Sequence, residues 1–207
     1  DQAEAEILAD CGSIPVINGL TNFAHPCQVL ADLMTVREHF AQLEGLKMGF
    51  VGDGFNMCNS LIVGCLKVGM KVSVATPEGY EPDAKVLAFA EEMKKQGASF
   101  ELSHDIHQAA DNADVLFTDA WIGMGQEAEA EKRRAAFAGF TVDHDLLSCC
   151  KEGVMVQHCL PAHRGEEITD EVLEEHADEI FEESENRLHA QKAVMVMLMS
   201  EKSDFHI

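Results

Sequence analysis

Between Val156 and Glu167 the chain reads Val156-Gln157-His158-Cys159-Leu160-Pro161-Ala162-His163-Arg164-Gly165-Glu166-Glu167, a thiol, two imidazoles, a guanidinium and two carboxylates in one short stretch. Three chemistries suit these residue types. A thiolate with an adjacent imidazole is the pairing of a nucleophilic cysteine and its base, and Cys27, close to His25, offers the same pairing. His158, Cys159 and His163 carry metal-ligand atoms. The same groups also serve as hydrogen-bonding groups that position a substrate. Adjacent residues of an extended strand face opposite ways, so neither thiol receives a base from its own neighbour. The metal set lacks both a helical i, i+4 pair and a Cys-x-x-Cys clamp, so no metal is expected.

Other residues gather chemistry more sparsely. Pro26 precedes an apolar helical pattern from Val29 to Phe40, which puts His25 and Gln28 at a helix N-terminus, where free N–H groups and the macrodipole favour an anion. Gly52-Asp53-Gly54 follows a strand pattern, but Met57 occupies the third glycine position of a dinucleotide fingerprint and no acid closes the next strand, so a tight turn is expected. Asn56 and Asn59 just beyond it have amides to offer a ligand above the sheet. Asp119 ends the fourth strand pattern, either as a ligand-edge carboxylate or as a helix N-cap. Arg187, read at the start of the terminal helix, is an anion ligand or a partner of Glu183 or Glu185.

The elements that must hold these groups alternate between strand and helix. Strands are expected at Lys47 to Gly52, Lys71 to Ala75, Ser99 to Leu102, Val115 to Thr118 and Gly153 to Val156, and helices at Asn56 to Val68, Pro82 to Gln96, Ile106 to Ala110, Glu131 to Ala138 and Asp143 to Cys150. This is the pattern of an α/β protein with a doubly wound parallel sheet and helices on both faces. Further expectations are an uncapped helix from Asp1 to Ala9, a buried strand Ile14 to Asn18, a last strand Glu179-Ile180-Phe181, and a cap for the terminal helix at Ser184 to Arg187. Asp119 to about Glu131 is long for a βα connection and holds the single tryptophan, Trp121, which marks a functional loop.

The 207 residues carry 15 Lys and Arg against 37 Asp and Glu, a formal charge of −22, which opposes binding to nucleic acid or an anionic membrane through the general surface. Any anionic substrate must be gripped by local basic groups. No apolar run reaches the roughly 18 residues of a membrane span. Seven cysteines, an odd number with no Cys-x-x-Cys pair, point to reduced thiols in a cytosol-like compartment.

Five stretches in order and spacing, namely Asn18-Gly19-Leu20-Thr21 leading to His25-Pro26-Cys27-Gln28, Val51-Gly52-Asp53-Gly54 with Asn56, Asp119 to Gly125, His158-Cys159-Leu160-Pro161, and Glu185-Asn186-Arg187, resemble the aspartate/ornithine carbamoyltransferase family across almost the whole chain. The resemblance implies transfer of a carbamoyl group from carbamoyl phosphate to the side-chain amine of L-ornithine, with no cofactor, in a cytoplasmic homotrimer. It implies that His25, Pro26, Cys27, Gln28, Cys159, Leu160 and Arg187 bind carbamoyl phosphate and that Asn56, Asp119, Gly123, Met124 and Cys159 bind ornithine. Cys159, Asp119 and His25 would be the catalytic groups, with Cys159 a positioning group between the two substrates. It divides the chain into a remnant of a carbamoyl phosphate domain and linking helix at 1–40, an amino-acid-binding domain at 41–183, and a returning helix at 184–207. The family's Ser-x-Arg-Thr-Arg phosphate loop is not in this sequence, so an N-terminally truncated form is expected. Gly123 stands where the family's loop has serine and Phe55 where a polar residue is common, which leaves putrescine as another amine substrate, or a non-catalytic amino-acid-binding module, as alternatives.

Overall fold

The computed structural model describes residues 1–123 and 125–200. Strands β1 (Lys47–Val51), β2 (Lys71–Ala75), β3 (Phe100–Ser103), β4 (Val115–Thr118) and β5 (Met155–His158) form one wholly parallel sheet in the order β3-β2-β1-β4-β5. Parallel strands buried on both faces require continuous apolar runs, and β4 and β5 are buried at every residue. Helices α1 (Gln2–Cys11), α2 (Pro26–Phe40), α3 (Asn56–Lys67), α4 (Ala84–Lys95), α5 (Ile106–Ala110), α6 (Ala130–Ala136), α7 (His144–Leu147), α8 (Asp170–Glu175) and α9 (Ala177–Met199) complete the described residues, with a 3-10 turn at Glu127–Glu129.

Two apolar layers flank the sheet. On one side Val29, Leu33 and Val36 of α2 join Leu61, Ile62 and Cys65 of α3 and Val86 of α4 over Met48, Phe50 and Val74. On the other, Ala109 of α5, Leu146 of α7, Val172 of α8 and Ile180 of α9 cover Val51, Leu116 and Val156. The chain leaves β1 toward β2 and β3 and returns to β4 on the other side, so the strand order reverses between β1 and β4. Loops diverge at such a switch point and open a crevice at the carboxyl ends of the strands. Here those ends are Val51, leading into Asp53, and Thr118, leading into Asp119.

Four sequence expectations give way. Ile14 to Asn18 form no strand: Pro15 has no N–H, and Ile14, Val16 and Ile17 are exposed. Helix α1 is capped after all, by Asp1, whose side chain accepts from the Ala3 N–H. Glu179-Ile180-Phe181 is helical, and Ser184 to Arg187 lie inside α9, which starts at Ala177. The buried face of α9 carries Ile180, Glu183, Asn186 and Ala190, while Phe181 is 63% exposed. Helical spacing hidden in polar residues explains the misreading, since apolar periodicity alone does not reveal it.

No helix among the described residues is long and apolar enough to cross a membrane.

Candidate functional site

A cleft of about 380 Å³ opens at the carboxyl edge of the sheet, and His25, Asn56, Asp119, Gly123, Cys159 and Leu160 all line it. Three separate devices bring them there. His25 ends the loop that enters α2, where its backbone N–H donates to Ser60 Oγ at 2.7 Å. Asn56 opens α3, anchored by a 2.9 Å bond from Nδ2 to the Thr21 carbonyl and by Oδ1 accepting from the Met57 N–H at 2.8 Å. Asp119 and Cys159 leave the adjacent strands β4 and β5, and the Cys159 thiol donates to Asp119 Oδ1 at 3.2 Å.

The alternation of an extended chain separates His158, the last residue of β5, from its neighbour Cys159. His158 turns inward, where Nε2 lies 3.1 Å from Glu167 Oε1 and Nδ1 accepts from the Leu160 N–H at 2.9 Å. An Nδ1 that accepts leaves the hydrogen on Nε2, so the ring donates to Glu167 and is spoken for at both nitrogens. Leu160 takes a left-handed conformation with φ of 55°, which bends the chain around His158 and presents Leu160 to the cleft. Asp119, His158 and Cys159 hold ligand atoms within 4.8 Å of one another. Each of the three already has a hydrogen-bonding role that needs no ion.

Electrostatics separate these groups by task. Burial and the nearby Arg187 push the His25 imidazole down to about 4, against a smaller opposing pull from the Gly19 backbone, so the ring is neutral at pH 7. Burial and the Asp119 carboxylate hold the Cys159 thiol well above its ordinary range. A protonated thiol is a hydrogen-bond donor and a poor nucleophile, which removes the nucleophilic cysteine from the chemistries open to this site. Asp119 is itself raised by burial. Among the described residues it has no cationic side chain in ion-pair contact, whereas Asp53, beside it in the cleft, is paired with Arg133.

Gln28 and Arg187 meet behind His25. Arg187 Nη1 donates to Gln28 Oε1, and the Gln191 carboxamide, turned so that its oxygen faces the guanidinium, accepts from Arg187 Nη2 at 2.8 Å and Nε at 2.9 Å. Neither Glu183 nor Glu185 pairs with Arg187: Glu185 meets His189, and Glu183 faces α2 and β5. The Arg187 guanidinium therefore contacts two neutral amides and no carboxylate within ion-pair distance among the described residues, which suits it to an anion. Cys27 is buried with Sγ bonded to the Asn18 carbonyl at 3.4 Å, and Pro26 lines an apolar groove of about 490 Å³ beside Phe23 and Phe89. The structure does not bring these two into the cleft. Asn59 is buried and engaged structurally, by the Phe23 carbonyl and the Asp83 N–H, and it does not line the cleft. Met124 lies outside the described residues.

The Gly52-Asp53-Gly54 turn is tight for a packing reason. Gly54 N–H donates to the Tyr80 carbonyl at 2.9 Å, and a Cβ on Gly54 would collide with the backbone of Tyr80 and Glu81. Asp53 is buried against Arg133, whose Nε donates to the Trp121 carbonyl at 2.6 Å and whose guanidinium lies 5.0 Å from the Tyr80 ring and 5.2 Å from the Phe137 ring. Burial raises Asp53 to about 6 despite that partner. Nothing in the spacing of positions 53 and 133 announces the Asp53–Arg133 pair. Asp32 gave a better signal, as a lone charge inside the apolar run Val29-Leu30-Ala31-Asp32-Leu33.

Comparison with known proteins places this geometry. Residues 44–198 match the family model for the aspartate/ornithine carbamoyltransferase Asp/Orn binding domain, and residues 1–38 match the carbamoyl-P binding domain of the same family. The chain is 53% identical over 197 residues to ornithine carbamoyltransferase of Pyrococcus horikoshii, covering 95% of this chain and 62% of that protein. It is 51% identical over 200 residues to the anabolic ornithine carbamoyltransferase of Pyrococcus furiosus, covering 96% and 64% respectively. The solved structure of ornithine carbamoyltransferase from Pyrococcus furiosus superposes with a TM-score of 0.89 at 50% identity over 96% of this chain and 64% of that one. The chain thus spans less than two thirds of the length of these relatives.

Proposed function

The chain belongs to the aspartate/ornithine carbamoyltransferase family, and from that premise we propose that it carries the amine-substrate half of a site that transfers a carbamoyl group from carbamoyl phosphate to the side-chain amine of L-ornithine, giving L-citrulline and phosphate. The observation that carries the amine substrate is Asp119, a half-buried carboxylate in the cleft with a thiol and no cation as its side-chain partner among the described residues. A ligand ammonium supplies the charge that Asp53 receives from Arg133.

In this reading Asn56, Asp119, Gly123 and Met124 hold the amino-acid end of ornithine, and Cys159 and Leu160 stand where its side-chain amine meets the carbonyl. His25 and Gln28 contact the carbamoyl group, Arg187 reaches the same ligand, and Pro26 and Cys27 set the start of α2 that aims them. The amine attacks the carbonyl carbon as a neutral base. The side-chain ammonium first gives one proton to solvent; the C–N bond then forms as the C–O bond to phosphate breaks, and the second proton lost from the amine nitrogen leaves on the departing phosphate. A neutral His25 suits this chemistry, because it donates a hydrogen bond to the carbonyl oxygen as negative charge develops there without first needing a proton from solvent. Holding both substrates in register supplies much of the rate, and no step calls for a metal or organic cofactor. The same family membership supports a homotrimer, and seven free cysteines accord with a reducing cytoplasm.

Isothermal titration with L-ornithine, putrescine and carbamoyl phosphate, followed by a citrulline assay, tests this. Ornithine binding in preference to putrescine is expected of this chain, and citrulline formation when it is joined to a carbamoyl phosphate domain that carries the phosphate loop. Carbamoylputrescine as the favoured product overturns the ornithine assignment, and ornithine binding without carbamoyl phosphate binding favours a non-catalytic amino-acid-binding module.

A further inference from the structure

Where α2, α9 and β5 meet, Gln28, Asp32 and Glu183 are each at most 1% exposed. Gln28 Nε2 donates to Asp32 Oδ1 at 2.9 Å and to Glu183 Oε1 at 3.0 Å, while Glu183 Oε2 accepts from the His158 N–H at 3.0 Å. Asp32 Oδ2 is buried with no partner among these bonds. Two carboxylates sharing one neutral donor in a medium of low dielectric cannot both be ionised without strong repulsion. We propose that Asp32 and Glu183 hold a single proton between them and act as a positioning pair that locks the Gln28 carboxamide with Nε2 inward and Oε1 toward Arg187.

The locking follows from the donor inventory. A carboxamide has two N–H hydrogens, and both are taken up by the acid pair. Rotating it by half a turn would set its oxygen against two carboxyl oxygens and its NH₂ against the Arg187 guanidinium, so both ends would repel. The shared proton also gives Asp32 Oδ2 the partner it lacks. Burial raises both acids, Asp32 to about 7 and Glu183 well above its ordinary value. The groups facing the pair from the surrounding elements do not undo this. Arg187 favours the charged form of Asp32 and Asp119 opposes it, the Cys65 and Cys159 thiols are held protonated, His158 offers its backbone N–H, and His25 is neutral.

The catalytic consequence rests on reading Gln28 and Arg187 as carbamoyl phosphate ligands, whereas the shared proton does not. Infrared spectroscopy of the 207-residue chain at pH 7, with carboxyl-labelled Asp and Glu, is expected to show a protonated carboxyl band that is absent from both Asp32→Asn and Glu183→Gln. Absence of that band from the unsubstituted chain, or its survival in either variant, overturns the shared proton. In a carbamoyl transfer assay, Glu183→Ala is expected to raise KM for carbamoyl phosphate about tenfold, equivalent to about 1.4 kcal/mol, while leaving KM for the amine unchanged, with Glu183→Gln restoring it. An unchanged carbamoyl phosphate KM in Glu183→Ala overturns the positioning role. If the unsubstituted protein, assayed together with a carbamoyl phosphate domain that carries the phosphate loop, transfers no carbamoyl group, the proposed function fails, and the infrared result still decides the pair.

Discussion

The Cys159 thiol donates to Asp119 Oδ1 at 3.2 Å across the tops of β4 and β5. The bond joins a group that would touch the carbonyl junction to one that would hold the amine substrate, and burial, reinforced by the Asp119 carboxylate, keeps the thiol protonated. Iodoacetamide applied to the folded chain at pH 8 should therefore modify the exposed Cys11 while Cys159 stays intact, as read by mass spectrometry of peptides. During turnover no carbamoyl adduct should form on Cys159. Early labelling of Cys159, or such an adduct, would restore the nucleophilic reading.

Arg133 ties the loop after β4 to the turn after β1. It pairs with Asp53, donates to the Trp121 carbonyl and lies against Tyr80 and Phe137. Removing one partner of a buried ion pair leaves the other charge unpaired, at a cost of about 3–5 kcal/mol. Arg133→Met should lower stability on that scale in denaturant unfolding. Trp121 is the single tryptophan and is 6% exposed, so its emission should shift to the red if the loop is freed. An unshifted spectrum would mean that the loop is held by other contacts.

Much of the sheet was legible in the sequence because parallel strands must be apolar throughout. Val115 to Thr118 and Lys71 to Ala75 have their predicted bounds, β1 differs by one residue at its end, β3 by one residue at each end, and β5 lies two residues further along the chain than expected. The site was legible in part for a related reason, since Asp119 and Cys159 directly follow such strands. Beyond the strands, what the sequence hid was the polar interior. Glu183 and Asn186 point inward from α9, and Asn186 Nδ2 binds Thr35 Oγ1 at 3.0 Å and Glu38 Oε2 at 2.8 Å. A helix whose buried face is partly charged looks solvated when only its apolar residues are counted. The partners lie some 150 positions away in the chain, so only the fold reveals that they are satisfied.

His25 should change the acid limb of stability. Its pKa is about 4 in the folded chain against an ordinary 6.5, so the unfolded chain takes up a proton in this window and the native chain does not. The stability that depends on a neutral His25 is complete above pH 6.5 and is lost as pH falls through 4. His25→Gln should flatten the decline in melting temperature between these values. Nuclear magnetic resonance should show the His25 ring hydrogens unchanged between pH 8 and 6. A His25 that titrates near 6.5 would remove the neutral donor from the proposed chemistry.

Gly123 offers the most direct test of which amine is used. The resemblance places a serine hydroxyl at this position, near the amino-acid end of the substrate. Gly123 N–H donates to Gln126 Oε1 at 2.8 Å, and an added Cβ would lie 3.2 Å from that same oxygen. The neighbour is the free end of a flexible side chain, so Gly123→Ser should be accommodated by a small swing of Gln126. One added hydrogen bond contributes about 1 kcal/mol net, roughly a fivefold change in affinity. KM for ornithine should fall on that scale. KM for putrescine should not move, because putrescine has no α-carboxylate or α-ammonium for the hydroxyl to meet. Equal changes for the two amines would place residue 123 away from the amino-acid end of the site.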